Sequence, residues 1–131
     1  MNIAYAGTNV PYRLLGPHFE THVYYVNRNN HETWRYYDYD HAARGQADYA
    51  PHRKPSPLFD RAHGDADAWL SNVWRRKTDY LFLTRLSLRV VNDSWHDDRN
   101  FPIEASWAEG SPRWVHLVYE NPEVQIYLMR R

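Results

Sequence analysis

Residues 65–85, DADAWLSNVWRRKTDYLFLTR, decide the fold because they predict a helix followed at once by a strand. Asp65 is at the N-cap and Asp67 in the first turn, where the positive end of a helix favours carboxylates. Apolar residues then recur at spacings of three and four and form one stripe: Ala66, Trp69, Leu70, Val73 and Trp74. The helix ends in the cationic run 75–77, and residues 79–84 are typical of a buried strand. A helix that leads so directly into a strand predicts the second half of a βαβ unit.

The composition is that of one domain without a preference for polyanions. The 131 residues suffice for a single core, and six Trp, eleven Tyr and four Phe supply large side chains to fill it. Lys plus Arg and Asp plus Glu number 16 each, so the formal net charge is zero. Because nucleic-acid binding needs a basic surface, this balance argues against nucleic acid as a partner. The basic runs 75–77 and 130–131 are interpreted as the end of a helix and the end of the chain.

Cysteine content and hydropathy limit the chemistry and the topology further. The chain contains no cysteine, so disulfides and thiolate chemistry are excluded. Its apolar runs are far shorter than the roughly 20 residues that a membrane span needs. Met1 leads directly into the strand-like residues 3–6 rather than into a signal peptide, and we expect the chain to be a domain excised from a longer protein.

The remaining elements alternate between strand and helix. Residues 2–6 and 21–27 predict two strands, and residues 86–91 either extend the strand after the helix or form another. Proline and glycine bracket the short helix predicted at residues 102–110, and residues 114–128 predict a β-hairpin. We therefore predict an α/β fold: a small Rossmann-like sandwich with a mixed, mostly parallel sheet and a C-terminal antiparallel β-hairpin.

A long, aromatic-rich loop at about residues 31–64 interrupts this single domain, which spans residues 1–131. Its prolines rule out a long helix, and connections of this length tend to be functional. Aromatic faces stack on sugar rings while neighbouring polar groups bind the hydroxyls, so the loop predicts a carbohydrate platform. The alternative is that the same residues pack the loop onto the sheet. The aromatic residues are Trp34, Tyr36, Tyr37, Tyr39 and Tyr49.

Two further groups of polar residues are candidates for binding. Asn9 and Tyr12 follow the first strand, where a Rossmann-type fold binds its ligand, and both side chains form hydrogen bonds. The glycine-rich nucleotide fingerprint is missing, so we expect no cofactor. Oxygen and imidazole ligands in the loops are weak candidates for a divalent metal, with solvated loop residues as the alternative. They are Asp38, Asp40, His41 and His96.

The sequence also resembles a known family along most of its length outside residues 34–64. The matching motifs belong to the scaffold and are Ile3–Asn9 with Pro11-Tyr12, Leu15-Gly16, His22–Val26, Ala68–Leu70, Thr78–Phe82, Pro102–Glu104 with Trp107, Val118–Asn121 and Val124–Tyr127. They are similar to the C-terminal soluble extracytoplasmic domain of bacterial polytopic membrane glycosyltransferases, the GT-C, dolichyl-phosphate-mannose-dependent mannosyltransferase type.

The resemblance implies a non-catalytic accessory domain, since the catalytic carboxylates of such enzymes lie in loops between membrane helices. The domain would assist acceptor or glycan binding on the extracytoplasmic, periplasmic face of a bacterial membrane. Its partners would be the membrane-embedded part of the same protein and a carbohydrate or lipid-linked sugar. Two alternatives stay open: a stand-alone metal-dependent enzyme that uses the Asp and His loop residues above, and an interaction module without a small-molecule ligand.

Overall fold

The computed structural model describes residues 1–8, 12–18, 20–26, 28, 64–88, 91 and 95–131. Within them the chain has the predicted α/β class. The strands are β1 (Asn2–Ala6), β2 (His22–Tyr25), β3 (Tyr80–Thr84), β4 (Val115–Glu120) and β5 (Val124–Met129). The helices are α1 (Ala66–Arg75) and α2 (Ile103–Glu109), and a short 3-10 helix covers Tyr12–Leu14. The predicted loop at residues 31–64 lies, except for Gly64, outside the described residues.

The strands form one mixed sheet in the order β2-β1-β3-β5-β4, with β3 at its centre. β1 pairs in parallel with β2 and with β3, whereas β5 pairs antiparallel with β3 and with β4. The mixed sheet and the final hairpin are therefore present as predicted. The prediction of a mostly parallel sheet is not confirmed, because both pairings of β5 are antiparallel.

The physical reason is that β5 lies between β3 and β4, and the turn before β5 reverses the direction of the chain. The Asn121 side-chain oxygen accepts the backbone N–H groups of Glu123 and Val124, each at 2.8 Å. A connection this short can join only antiparallel strands, since a parallel pair needs a crossover of a dozen or more residues.

The strand predicted at residues 86–91 is wrong for the part of it that the structure describes. β3 ends at Thr84, and residues 85–88 lie outside the sheet. Leu86 is buried and its backbone N–H donates to the Asn100 carbonyl at 2.8 Å. Its apolar side chain therefore belongs to a loop that folds back onto the core, while Leu88, the next apolar residue of the pattern, is 77% exposed.

α1 forms as its sequence predicts. The Asp65 carboxylate caps the first turn by accepting the Ala68 N–H at 2.7 Å. Trp69 and Val73 are buried, so the apolar stripe faces the core. At the other end Lys77 has a φ of 53°, and this left-handed residue ends the helix just before β3.

Both helices pack on the same face of the sheet. Gln125 shares that face with Leu83 and donates to Glu109 of α2, while the Tyr24 hydroxyl donates to the Arg76 carbonyl at the end of α1. Along β3 and β5 buried residues alternate with half-buried ones. In the described part of the chain the fold is therefore a sheet with both helices on one side. Much of the core lies between these two layers, while Tyr5 and Tyr25 are buried on the opposite face. Fully buried members of the core are Leu81, Leu83, Val73, Ala105 and Tyr127.

The strand directions give the sheet two distinct ends. The carboxyl end is where β1, β2, β3 and β4 end, and the amino end is where these four strands begin. α1 begins at the carboxyl end, because Asp65 donates its N–H to the carbonyl of Arg28, which follows β2. It ends at the amino end, where Asp79 donates its N–H to the Asn2 carbonyl.

Gly7 shows how closely the chain is packed at the carboxyl end. Its φ is 94°, and a Cβ atom at this position would lie 2.0 Å from the Thr84 carbonyl oxygen. Only glycine therefore allows the chain to leave β1 directly beside the end of β3.

Candidate functional site

A cleft of about 620 Å³ opens at the carboxyl end of the sheet, beside the ends of β3 and β4. This volume is within the range of small-molecule sites. In open α/β sheets, ligands bind outside the carboxyl ends of the strands, so the position is the expected one for a ligand. Charged and amide side chains dominate the lining and include Arg85, Asp98, Arg99, Asn100, Glu120 and Asn121.

One wall of the cleft is a tight turn in the loop before α2. The Asp97 carboxylate accepts the backbone N–H groups of Arg99 and Phe101 at 2.8 and 3.0 Å. Asn100 adopts a left-handed φ of 64°, which asparagine tolerates better than most residues. This local side-chain to backbone bonding fixes the turn and places Asp98 at the cleft.

The opposite wall is the turn of the β4–β5 hairpin. In addition to the two bonds that its side-chain oxygen accepts, Asn121 donates from Nδ2 to the Tyr119 hydroxyl at 3.0 Å. Arg85, just after β3, donates its backbone N–H to the Glu123 carbonyl at 2.9 Å. The hairpin turn is thus joined to the end of β3, and both walls are held by backbone contacts.

The two arginines of the cleft differ in their electrostatic environment. Arg99 donates to Glu109 at 2.5 Å and to Asp97 at 3.1 Å. The hydrogen bond with Glu109 is the main cause that raises the pKa of the Arg99 guanidinium above its ordinary value. Among the described residues Arg85 forms one long ion pair, 3.7 Å, with the exposed carboxylate of Glu123. Arg99 is therefore a fixed structural cation, while Arg85 can exchange its partner for a ligand.

The floor of the cleft includes Gln125, whose side chain forms hydrogen bonds through both its amide nitrogen and its oxygen. Buried Gln125 donates from Nε2 to Glu109 at 3.4 Å and accepts the Tyr127 hydroxyl at 3.1 Å. Burial, followed by repulsion from the Glu109 carboxylate, raises the pKa of the Tyr127 phenol far above its ordinary value. The Tyr127 hydroxyl therefore stays protonated, and Gln125 gives the cleft its shape rather than a reactive group.

The accessible groups of the cleft are suited to hydroxyl recognition. Asp98 and Glu120 are exposed and form no hydrogen bond or salt bridge through their carboxylates with any described residue. They are acceptors, whereas the Arg85 guanidinium is a donor. A ligand with several hydroxyl groups can satisfy both kinds of group at once, and charge assistance makes such hydrogen bonds the stronger ones.

The sequence matches no protein-family model, no curated protein and no solved structure. A function must therefore be argued from the site rather than from relatives. In the part of the chain that the structure describes, no helix is long and apolar enough to cross a membrane. The same residues contain no group of three or more His, Cys, Asp or Glu side chains that could hold a metal ion.

Most of the site residues predicted from the sequence lie outside the described residues. They are Asn9, Trp34, Tyr36, Tyr37 and Tyr39 of the predicted ligand site and Asp38, Asp40 and His41 of the predicted metal site. The backbone of Tyr12 begins the 3-10 helix, but its side chain is not described. His96 is half-buried and forms an isolated β-bridge with Pro102. The carbohydrate platform and the metal site therefore stay predictions.

Sequence reasoning missed the cleft, because its two walls are far apart in the sequence. Residues 95–100 and 120–123 both lie at the carboxyl end of the sheet, and this shared position was the signal. Using that signal requires the strand order, because β5 must lie between β3 and β4 before Asp98 and Glu120 reach one cleft.

Proposed function

We propose that this chain is a non-catalytic accessory domain of a membrane glycosyltransferase and that it binds a glycan in the cleft at the carboxyl end of its sheet. The cleft is the observation that supports this function, through its position, its volume and its polar lining. The resemblance found in the sequence supplies the wider context. In that context the domain acts on the extracytoplasmic, periplasmic side of a bacterial membrane, beside the membrane-embedded part of the same protein. A Rossmann-like origin of the parallel β2-β1-β3 half belongs to the same proposal.

The chemistry of the lining favours a sugar over other small molecules. Sugar hydroxyls both donate and accept, and the cleft offers carboxylate acceptors at Asp98 and Glu120 opposite a donor at Arg85. Phe101 and Pro122 are the apolar residues of a lining otherwise formed by charged and amide residues, so a lipid tail or an aromatic cofactor would meet few apolar side chains. The two carboxylates also repel an anionic ligand, so the best match is a neutral or amino sugar.

The rigidity of the walls adds to the argument. Both loops are fixed by backbone hydrogen bonds around Asp97 and Asn121, so a ligand need not order them. Preorganisation of this kind increases affinity because less conformational entropy is lost on binding.

The test is an NMR titration of the chain with mannobiose, maltose and diacetylchitobiose. We expect chemical-shift changes at the backbone amides of residues 97–101 and 120–125. The variants Asp98→Asn and Glu120→Gln should each weaken binding by about tenfold, because each loses a charge-assisted hydrogen bond. Asp67→Asn is the matched control, since it removes an exposed carboxylate of α1 that lies outside the cleft lining.

The titration also distinguishes this function from its alternatives. Shift changes that centre on residues 34–49 would move the sugar site to the predicted aromatic platform. Failure of all three sugars to change any shift would contradict the proposal and favour an interaction module.

A further inference from the structure

At the amino end of the sheet the fold gathers cations that are far apart in the sequence. They come from the end of α1, from the residue that precedes Trp114 and from the end of β5. All are exposed, and together they form what we call the basic surface: Arg75, Arg76, Lys77, Arg113, Arg130 and Arg131. The sequence shows them only as separate local runs, and their meeting is a property of the fold.

Hydrogen bonds tie the three segments of the basic surface together. The Arg131 guanidinium donates to the Lys77 carbonyl at 2.5 Å and to the Asp79 carboxylate at 3.1 Å. The Arg130 backbone N–H donates to the Trp114 carbonyl at 2.8 Å. The chain that follows β5 is thus joined both to the end of α1 and to the start of β4.

The basic surface also contains an exposed aromatic side chain. Trp114 is 41% exposed, and the Arg113 guanidinium lies 4.7 Å from its ring centroid. Trp74 supports the ring from beneath through an edge contact at 5.6 Å between centroids. Met1, at the start of β1 on the same end of the sheet, is exposed as well. Large apolar groups therefore lie among the cations.

Negative charge is scarce at this end of the described chain. Asp79 is bonded to Arg131 and to the backbone N–H of Asn2. Arg76, Lys77, Arg113 and Arg130 form no salt bridge with any described residue. The basic surface therefore has a positive potential that the zero net charge of the whole chain conceals.

We propose that the basic surface binds a membrane surface that contains anionic phospholipid. Cations gain attraction from anionic headgroups, while an amphipathic Trp ring is favoured at the interface between headgroups and acyl chains. Trp114 among arginines at one end of the sheet matches this combination. The exposed apolar side chain of Met1 fits a lipid surface as well, whereas a surface that binds only phosphate has no use for it. The proposal does not rest on the cleft, which lies at the opposite end of the sheet. If both hold, the cleft faces away from the bilayer.

The test is sedimentation of the 131-residue chain with vesicles of phosphatidylcholine alone and with mixed vesicles of phosphatidylcholine and phosphatidylglycerol. We expect binding to the mixed vesicles, little binding to the neutral ones, and loss of binding as sodium chloride screens the charges. The double variant Arg113→Gln with Arg130→Gln should lower the partition coefficient by about fivefold for each cation removed.

The matched control compares two single variants: Arg113→Gln removes one cation of the basic surface, and Arg13→Gln removes one exposed cation that belongs neither to that surface nor to the cleft. Arg13→Gln should bind the mixed vesicles as the parent chain does. Equal losses in the two single variants, or equal binding to neutral and anionic vesicles, would overturn the proposal. Binding to single-stranded DNA but not to the mixed vesicles would also overturn it and assign the surface to nucleic acid. Because the salt dependence is measured on the unaltered chain, it tests the proposal even if a variant fails to fold.

Discussion

The two ends of the sheet are built on different physical principles. At the carboxyl end, the buried Arg28 guanidinium donates to Glu104 of α2 at 2.8 Å, and these side chains are 2% and 0% exposed. At the amino end, the ion pair of Arg131 with Asp79 is 50% and 37% exposed. The carboxyl end therefore has a buried ion pair between Arg28 and α2, whereas the ion pair at the amino end is exposed to solvent.

This contrast shows why a neutral chain can have two distinct surfaces. Exposed ion pairs contribute little to stability, so contact of the basic surface with an external partner would cost the fold little. The buried pair has the opposite character, because removal of either charge leaves the other buried without this ion pair. We therefore expect substitutions at the carboxyl end to change stability and substitutions at the amino end to change binding.

The largest expected effect is that of Glu104→Ala at the carboxyl end. It leaves the Arg28 charge buried without its carboxylate, so the free energy of unfolding should fall by about 3–5 kcal/mol. Urea denaturation followed by circular dichroism measures the loss. The matched change at the amino end, Arg131→Ala, should lower it by less than about 1 kcal/mol because that pair is exposed. Similar losses for the two variants would show that the contrast between the ends is wrong.

The second prediction concerns alkaline pH and the two shielded tyrosines. Burial strongly raises the pKa of Tyr127, whose hydroxyl donates to Gln125, and it also raises the pKa of Tyr24, whose hydroxyl contacts Thr78. Above about pH 10, the unfolded phenols lose protons that the folded ones keep, so stability present below that pH is lost as the pH rises. One such phenol contributes a slope approaching about 1.4 kcal/mol per pH unit.

Conservative variants measure how much of that slope each of the two tyrosines contributes. Tyr127→Phe should flatten the decline in unfolding free energy above pH 10 more than Tyr24→Phe does, because the shift at Tyr127 is the larger. Urea titrations at successive alkaline pH values measure the slope. A steeper decline in Tyr127→Phe, or no change from the parent chain, would mean that this hydroxyl is not shielded in the folded state.

Local signals in the sequence predicted the parts of the fold that depend on neighbouring residues. The Asp65 cap, the apolar stripe of α1 and the hairpin turn at Asn121 all act within a few residues, and all are found where expected. The pairing of β5 with β3 is not local, because it brings together residues about 40 positions apart. The pattern at residues 86–91 gave a wrong strand prediction for the same reason, since the burial of Leu86 depends on packing with residues that are distant in the sequence.

The candidate sites depended even more on such distant contacts. Asp98 and Glu120 meet only through the strand order, and the basic surface needs Arg131 to reach the end of α1. From the sequence, the basic runs had adequate local explanations as a helix end and a chain end. The predicted aromatic platform drew on residues 34–49, which lie outside the described part of the chain.

The smallest expected effect is at Lys77, where the contribution to stability and the contribution of the charge to vesicle binding can be measured separately. Its left-handed φ of 53° strains a residue with a Cβ by roughly 1–2 kcal/mol, and glycine removes that strain. Glycine also gives the unfolded chain more freedom, which costs about 0.4–1 kcal/mol. Lys77→Gly should therefore stabilise the fold by about 0.5–1 kcal/mol in urea denaturation. The backbone bonds of this residue with Trp74 and Arg131 remain possible in the variant.

The same substitution removes one cation from the basic surface, so binding to anionic vesicles should weaken by about fivefold while stability rises. Lys77→Gln is the matched control, because it removes the charge but keeps the Cβ strain. It should weaken vesicle binding equally without stabilising the fold. Equal unfolding free energies for Lys77→Gly and Lys77→Gln would mean that the left-handed turn is not strained. If neither variant bound the vesicles more weakly, Lys77 would lie outside the lipid contact. Opposite changes in stability and binding at one residue are the expected result where an exposed charge serves a partner rather than the fold.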